Sequence, residues 1–217
     1  MGSPEEPSFL AALVGVLKTV QLEHPNLRGQ LIEVEGEPEE NELLALLRQN
    51  QQWWQEPHIR YSCGKRWVRQ WQEQPLLSCP PKVPWKEGGC YLITGGAGGL
   101  GRLFVQEIAR HVEAATVILV GRSALSQEEL RAHLKQASHA GLHIDYQQVD
   151  VGGPAVHDLI QRILAQHGHL DGIIHAAGVL RDSLLLHKTQ KQVQEVLAPK
   201  VIGVEHLDQA SRALPLD

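Results

Sequence analysis

The sequence contains few cysteines and few aromatic residues. Among its 217 residues, three are cysteines and 5% are aromatic. Cys63, Cys79 and Cys90 are odd in number and form no Cys-x-x-Cys pair, so a disulfide framework is not indicated. Free cysteines of this kind fit a reducing compartment, and we expect the protein to be cytoplasmic.

Positive charge and long apolar runs are also scarce. The formal net charge is −5 and the pI is near 6.2, which leaves no basic field for nucleic acid. No uninterrupted apolar segment approaches the roughly 20 residues that a membrane-spanning helix needs. With 42% hydrophobic residues the chain can still bury a core, so we expect a soluble globular protein without nucleic-acid or membrane partners.

Tryptophan is missing from the second part of the chain. The five tryptophans precede Tyr91, and a proline-rich connector comes just before that residue. This shift in composition predicts two subdomains, a smaller one over residues 8–86 and a larger one over residues 87–217. The tryptophans are Trp53, Trp54, Trp67, Trp71 and Trp85, and the connector prolines are Pro75, Pro80, Pro81 and Pro84.

The smaller subdomain shows a short pattern of helices and strands. A helix with an apolar face is predicted from Ser8, and the alternating sequence Leu31–Val34 predicts a strand. A second helix should end near Asn50, and a hairpin is predicted around Gly64. The second helix is expected to bury a stripe of leucines, namely Leu43, Leu44, Leu46 and Leu47.

Strands and helices alternate in the larger subdomain. Strands are predicted at residues 91–94, 116–120, 143–149 and 170–176, with helices between them and a final helical stretch over 189–212 interrupted at Pro199. Such alternation implies a parallel sheet, and right-handed crossovers give it the strand order 3-2-1-4. The predicted fold is a Rossmann-like doubly wound α/β sheet, preceded by part of a smaller α/β subdomain.

A glycine-rich turn, Thr94-Gly95-Gly96-Ala97-Gly98-Gly99-Leu100-Gly101, joins the first of these strands to a helical pattern. Its spacing is typical of dinucleotide binding, where glycines permit a tight strand exit, close approach of a pyrophosphate and close helix packing. The N–H groups that start the helix are expected to bind phosphate. A flexible glycine loop is the alternative. The expected cofactor contacts here are Thr94, Gly95, Ala97, Gly99, Leu100 and Gly101.

The residue that ends the second strand distinguishes the two nicotinamide cofactors. Arg122 occupies that position, with Ser123 after it, and a guanidinium can bind a 2′-phosphate. We therefore predict NADP(H) rather than NAD(H), with a solvated surface arginine as the alternative. Asp150 and Val151 follow the third strand and are predicted to lie near the adenine, although Asp150 could instead cap the next helix.

Small residues follow the fourth strand. Ala176, Ala177 and Gly178 are predicted to let the backbone approach the ribose and nicotinamide. His175, which precedes them, is expected to be packed rather than catalytic. No metal site is predicted, because the histidines lack the spacing of a helical ligand pair backed by a glutamate.

Five motifs occur in order along the chain: T-G-G-A-G-G-L-G, V-G-R-S, V-D-V, H-A-A-G-V-L-R-D and A-P-K-V-x-G. Together they resemble the ketoreductase domain of modular polyketide synthases, a family of short-chain dehydrogenases. The portion that begins at Phe9 resembles the later half of the family's structural subdomain, so the resemblance covers nearly the whole chain.

The resemblance implies a reductase that uses NADPH to convert a β-ketoacyl thioester into a β-hydroxyl product. Its substrate would be tethered through phosphopantetheine to an acyl carrier protein. It gives Lys200 a catalytic role beside a serine and a tyrosine, with a solvated lysine as the alternative. The family carries those two residues after the next strand, so we expect them beyond Asp217 and expect no ketone reduction by this portion alone.

Two further expectations follow from the resemblance. A Leu-Asp-Asp motif after the fourth strand marks B-type ketoreductases, and this chain has Leu180-Arg181-Asp182 at that place. Asp182 therefore implies a D-configured product, unless it only caps the next helical turn. The alternative for the whole chain is a non-catalytic module, nucleotide-binding or structural, that works with the remainder of a synthase.

Overall fold

The computed structural model describes residues 12–75, 83–134 and 141–216. These residues form two compact units. One contains residues 12–75 and Ser183–His187, and the other contains the remaining described residues. The predicted helix start at Ser8 lies outside the described residues. No helix within the described ranges is long and apolar enough to cross a membrane.

The first unit contains a three-stranded sheet in the order β1-β2-β3, with β2 parallel to β1 and antiparallel to β3. Cys63 and Gly64 join β2 to β3 with positive φ angles of 51° and 68°, the conformation of a tight hairpin turn. The predicted strand, second helix and hairpin are confirmed. The elements are α1 Leu13–Glu23, β1 Leu31–Val34, α2 Glu40–Asn50, β2 His58–Ser62 and β3 Lys65–Val68, with short 3₁₀ helices at Gln51–Trp53 and Leu185–His187.

The predicted leucine stripe of α2 is wrong. Leu43, Leu44 and Leu47 are between 40% and 45% exposed, Leu46 is half-buried, and Asn50 is the buried residue of this helix. The Asn50 amide donates to the Tyr61 hydroxyl at 2.9 Å and accepts from the Arg66 guanidinium at 3.0 Å. Polar contacts with the hairpin therefore hold the end of α2.

The second unit is built on a parallel sheet in the order β6-β5-β4-β7, which confirms the predicted order 3-2-1-4 and the fold class. Its elements are β4 Gly89–Thr94, α3 Gly99–His111, β5 Ala115–Gly121, α4 Gln127–Leu134, β6 Leu142–Gln148, α5 Ala155–His167, β7 Gly172–His175, α6 Gln190–Lys200 and α7 Ile202–Ser211.

Side chains of the central strand β4 alternate between two cores, one on each face of the sheet. Leu92 packs in a cluster with Ile160 of α5, whereas Ile93 packs in a cluster with Ile108 of α3. All six residues of β4 are buried. Burial on both faces explains why this strand reads as a continuous apolar run, and it fixes the carboxyl end of β4 in the middle of the sheet.

The final helical stretch is interrupted close to the predicted place. Pro199 stays inside α6, and α6 and α7 are separated at Val201, whose φ of −108° and ψ of −67° deviate from ideal helical values but stay in the right-handed region. A proline removes only one helical hydrogen bond, so the helix can continue for a residue beyond it. α7 then begins, and a Cβ on Gly203 would lie only 3.2 Å from Val151, so α7 packs closely against the segment that leaves β6.

Candidate functional site

A cavity of about 500 Å³ opens at the carboxyl ends of the parallel strands. Doubly wound sheets bind ligands at this edge, where the chain turns to opposite sides of the central strand. The exit of every strand of the sheet contributes to the cavity wall, together with α6. The lining residues that were expected to bind the cofactor are Gly95, Ala97, Arg122, Ser123, Asp150, Val151, Ala176, Ala177 and Gly178.

The glycine turn after β4 is closely packed. Gly95 has a φ of +67°, and a Cβ there would lie 2.6 Å from the Ala176 carbonyl oxygen. A Cβ on Gly101 would lie 2.5 Å from the Gly96 carbonyl oxygen. Neither position can accept a side chain without moving backbone. Gly101 therefore permits close packing of the helix against the turn itself.

The first turn of α3 presents backbone donors. Gly98 precedes the helix without a side-chain cap, and the first helical bond runs from Arg102 N–H to the Gly98 carbonyl oxygen at 3.2 Å. The N–H groups of Gly99, Leu100 and Gly101 therefore have no acceptor within the helix, as at any uncapped helix start. These three residues lie outside the cavity lining, and their N–H groups can bind an anion at this helix start.

Arg122 and Ser123 follow β5 and line the cavity. The Arg122 side chain is exposed, and its guanidinium forms no hydrogen bond or ion pair with any residue that the structure describes. A cation at the edge of a cavity that has no partner among the described residues is available to an anionic ligand.

Asp150 follows β6 and also lines the cavity. Its carboxylate accepts from the Gly152 N–H at 3.0 Å, and its carbonyl oxygen accepts from the Gly153 N–H at 3.0 Å. α5 begins only at Ala155, after Pro154, and has no side-chain cap. Asp150 thus stabilises the turn that precedes α5 and does not cap the helix.

Thr94 does not have the expected direct contact with the cavity. It is completely buried at the end of β4, its hydroxyl accepts from the Ala177 N–H at 3.2 Å, and it lies 2.7 Å from His175 Nδ1. His175 Nε2 lies 2.8 Å from the Pro199 carbonyl oxygen. Because a carbonyl only accepts, Nε2 donates, and Nδ1 of the neutral ring accepts from the Thr94 hydroxyl. This agrees with the packed role expected for His175.

Lys200 is the last residue of α6, directly after Pro199, which lines the cavity. The lysine is exposed, lies outside the cavity lining, and has no ion pair among the described residues. Its position relative to the cavity is therefore set by the neighbouring Pro199, whose carbonyl oxygen accepts a hydrogen bond from His175.

Asp182 is exposed and lies outside the cavity lining. It does not cap the short helix Leu185–His187, because the Leu185 N–H donates to the Glu23 carboxylate at 3.0 Å. Arg181 stands beside it and pairs with Glu195, a cavity-lining residue, at 2.7 Å. The alternative role of Asp182 as a helix cap is therefore wrong.

Sequence reasoning missed four functional candidates or left them unassigned, namely Tyr146, Gln148, His175 and Pro199. Tyr146 and Pro199 line the cavity, and the other two form hydrogen bonds to its backbone. Only their positions at the ends of strands and beside Lys200 could have indicated them. No group of three or more His, Cys, Asp or Glu side chains in the described ranges could hold a metal ion.

Comparisons with known proteins agree with this arrangement. A model of the KR domain family matches residues 89–217. The chain is 44% identical over 214 residues to the polyketide synthase PksL and 42% identical over 213 residues to the polyketide synthase PksN, both of Bacillus subtilis strain 168. Each alignment covers 98% of this chain, but only 5% and 4% of the two relatives.

The chain also resembles a solved ketoreductase domain from the bacillaene assembly line, with a TM-score of 0.84 and 39% identity. The match covers 95% of this chain and 49% of that one, so this chain spans about half of the solved relative. With the family model, the polyketide synthase relatives and the parallel sheet in agreement, this chain belongs to the ketoreductase (KR) domains of modular polyketide synthases, within the short-chain dehydrogenase/reductase superfamily.

Proposed function

We propose that this chain is the cofactor-binding portion of an NADPH-dependent reductase that acts on β-ketoacyl thioesters. Domains of this family typically use a nicotinamide cofactor. The choice of NADPH rests on one observation, the exposed Arg122 guanidinium that lines the cavity and has no partner among the described residues. A free cation at the end of the second parallel strand suits a 2′-phosphate.

The residues around the cavity fit a dinucleotide. Gly95 and Gly101 let the turn fold tightly on itself and on Ala176. A Cβ built on Gly99 meets no described atom within 4 Å, so backbone there could come close to a pyrophosphate, which the N–H groups of the first α3 turn would bind. Arg122 and Ser123 would bind the 2′-phosphate. Asp150 and Val151 would border the adenine, and the small residues 176–178 would border the nicotinamide ribose.

NADPH, when bound, supplies the hydride. The role proposed for Lys200 is electrostatic. An ammonium beside a phenol lowers the pKa of the phenol and so favours proton donation to the oxygen of the reduced ketone. The phenol would belong to the tyrosine that the family carries, with a serine, after the next strand. His175 supports this geometry because it bonds to the carbonyl of the residue before Lys200.

The substrate and partners are proposed from the relatives. Because this chain covers 5% of PksL, it corresponds to one small part of a multidomain synthase. We propose that an acyl carrier protein presents the β-ketoacyl group through its phosphopantetheine arm, in the cytoplasm, and that the remainder of the synthase completes the site. The competing assignment is a module that binds nucleotide, or only retains the fold, without catalysis.

Titration of the purified chain with NADPH and with NADH tests the proposal. We expect NADPH to bind about 10- to 100-fold more tightly, since a charged hydrogen-bonding pair contributes roughly 1.5–3 kcal/mol. Arg122→Asp should reverse the preference. The control Arg110→Asp makes the same charge change at the far end of α3 and should leave the preference unchanged.

Two results would contradict the proposal. Equal NADPH affinity in Arg122→Asp would remove the assignment of the 2′-phosphate site. Absence of binding to either nucleotide would favour the structural module. Reduction of a β-ketoacyl thioester by the polypeptide that also carries the serine and tyrosine would separate a reductase from a module that only binds nucleotide.

A further inference from the structure

The turn that carries Arg122 is held from the neighbouring strand at three consecutive carbonyl oxygens. The Gly121 oxygen accepts from the Val149 N–H at 2.9 Å. The Arg122 oxygen accepts from the Gln148 side-chain amide at 2.9 Å. The Ser123 oxygen accepts from the Tyr146 hydroxyl at 2.7 Å. Without these three hydrogen bonds, the peptide groups of this exposed turn could rotate.

We propose that Tyr146 and Gln148 are positioning residues for cofactor selectivity, because they hold the backbone from which Arg122 reaches the 2′-phosphate. This inference rests on the proposed function. It assigns selectivity to two uncharged side chains that need not touch the phosphate.

The strand geometry places both side chains on the same face of the sheet. In the parallel pairing of β5 with β6, Leu119 lies opposite Tyr146 and Gly121 lies opposite Gln148. Residues two apart in a strand point to the same side, so both can reach over the end of β5. The two carbonyl oxygens beyond the last ladder position are therefore held by alternate residues of a single strand.

Gly121 is required for this arrangement. A Cβ at that position would lie 2.5 Å from the Tyr146 hydroxyl oxygen, so a side chain there would displace the phenol from Ser123. Burial also raises the pKa of Tyr146. The phenol therefore remains protonated at neutral pH and can donate its hydrogen bond.

The effect should be confined to the 2′-phosphate. Arg122 has a long side chain, and fixing its backbone reduces the conformational entropy that binding must remove. NADH has a hydroxyl in place of the phosphate, so loosening the turn should weaken NADPH and leave NADH affinity nearly unchanged. A general loss of folding would weaken both.

Binding measurements on the full chain test the inference with Tyr146→Phe and Gln148→Met, each of which removes a donor and keeps most of the side-chain volume. Gln147→Met is the matched control. It makes the same change at the adjacent position, where the amide contacts Asp145 and Arg162 instead of the turn. The probes are NADPH, NADH, and the smaller pair adenosine 2′,5′-bisphosphate and adenosine 5′-monophosphate.

Tyr146→Phe and Gln148→Met should each lose about three- to tenfold in affinity for the 2′-phosphorylated probes, the range expected for one hydrogen bond. Affinity for the unphosphorylated probes should stay within about twofold, as should all affinities of Gln147→Met. The positioning role would be overturned if Tyr146→Phe and Gln148→Met both kept their preference for the 2′-phosphorylated probes while Arg122→Ala lost it. The proposed function would remain. Equal affinity of the wild type for NADPH and NADH would overturn both.

Discussion

Replacing Thr94 with valine tests whether the end of β4 is held by its hydroxyl. Valine has nearly the same shape, so packing in this completely buried position is retained. The change removes the acceptor of the Ala177 N–H and the partner of His175 Nδ1. A buried donor that loses its acceptor costs about 1–3 kcal/mol. Because Ala177 and His175 are only half-buried, water can reach them in part, so we expect a loss of about 1–2 kcal/mol in the free energy of unfolding.

Two histidine variants allow the Thr94 bond to be isolated. A glutamine at position 175 can still donate to the Pro199 carbonyl oxygen from the place of Nε2, but it has no acceptor in the place of Nδ1. An asparagine has the opposite properties. Thr94→Val should therefore be non-additive with His175→Gln, with a coupling of about 1 kcal/mol, and nearly additive with His175→Asn.

Urea unfolding of the three single and two double variants against the wild type, at constant m-value, measures these terms. A neutral Thr94→Val substitution would refute the reasoning. Equal coupling in the two histidine series would refute the assignment of the Thr94 partner to the Nδ1 position of the ring.

Three other predictions concern separate parts of the chain. Burial raises the pKa of Cys90 to about 11. With Cys79 replaced by serine, a thiol reagent at pH 8 should therefore label the exposed Cys63 and should react with Cys90 only after unfolding; comparable labelling rates would contradict this. The Ser62 hydroxyl lowers the pKa of Glu35, so Ser62→Ala should raise it in an NMR titration. The stabilisation from this bond is present at neutral pH and fades as pH falls through the folded-state pKa. With the serine and tyrosine segment present, the product should be mainly D-configured and Asp182→Ala should reduce that excess; an L product on chiral chromatography would exclude the assignment.

The sheet and the glycine turn could be predicted because their signals are local. Alternating strands and helices, with right-handed crossovers, leave few possible strand orders, and the observed order is the predicted one. The leucine stripe of α2 failed for the opposite reason. An apolar periodicity shows which face could be buried, but whether another element covers that face is decided by tertiary structure.

Side chains that bind distant backbone were beyond sequence reasoning. Tyr146 reads as an ordinary strand residue, and its acceptor on Ser123 lies 23 positions away. Asp182 reads as a helix cap by its type and spacing, yet Glu23 binds the Leu185 N–H across 162 positions. Neither pairing leaves a periodic or spacing signal, since the partner in each case is a peptide group that every residue possesses.

The backbone that follows each parallel strand must be held in place beyond the sheet, and hydrogen bonds from these side chains hold it. A β ladder fixes its strands only as far as their hydrogen bonds extend, and glycines or alanines beyond that end have no side chains to anchor them. Thr94 holds the exit of β7 at Ala177, Tyr146 holds the exit of β5, Asp150 holds the turn after β6, and His175 joins the end of β7 to α6. Each of these side chains donates a hydrogen bond to a backbone group or accepts one from it. The small residues of the cavity wall can therefore contact a ligand closely and still be held in place. A wall that is fixed before binding would lose less conformational entropy when the proposed cofactor binds, and this would connect these hydrogen bonds to cofactor affinity.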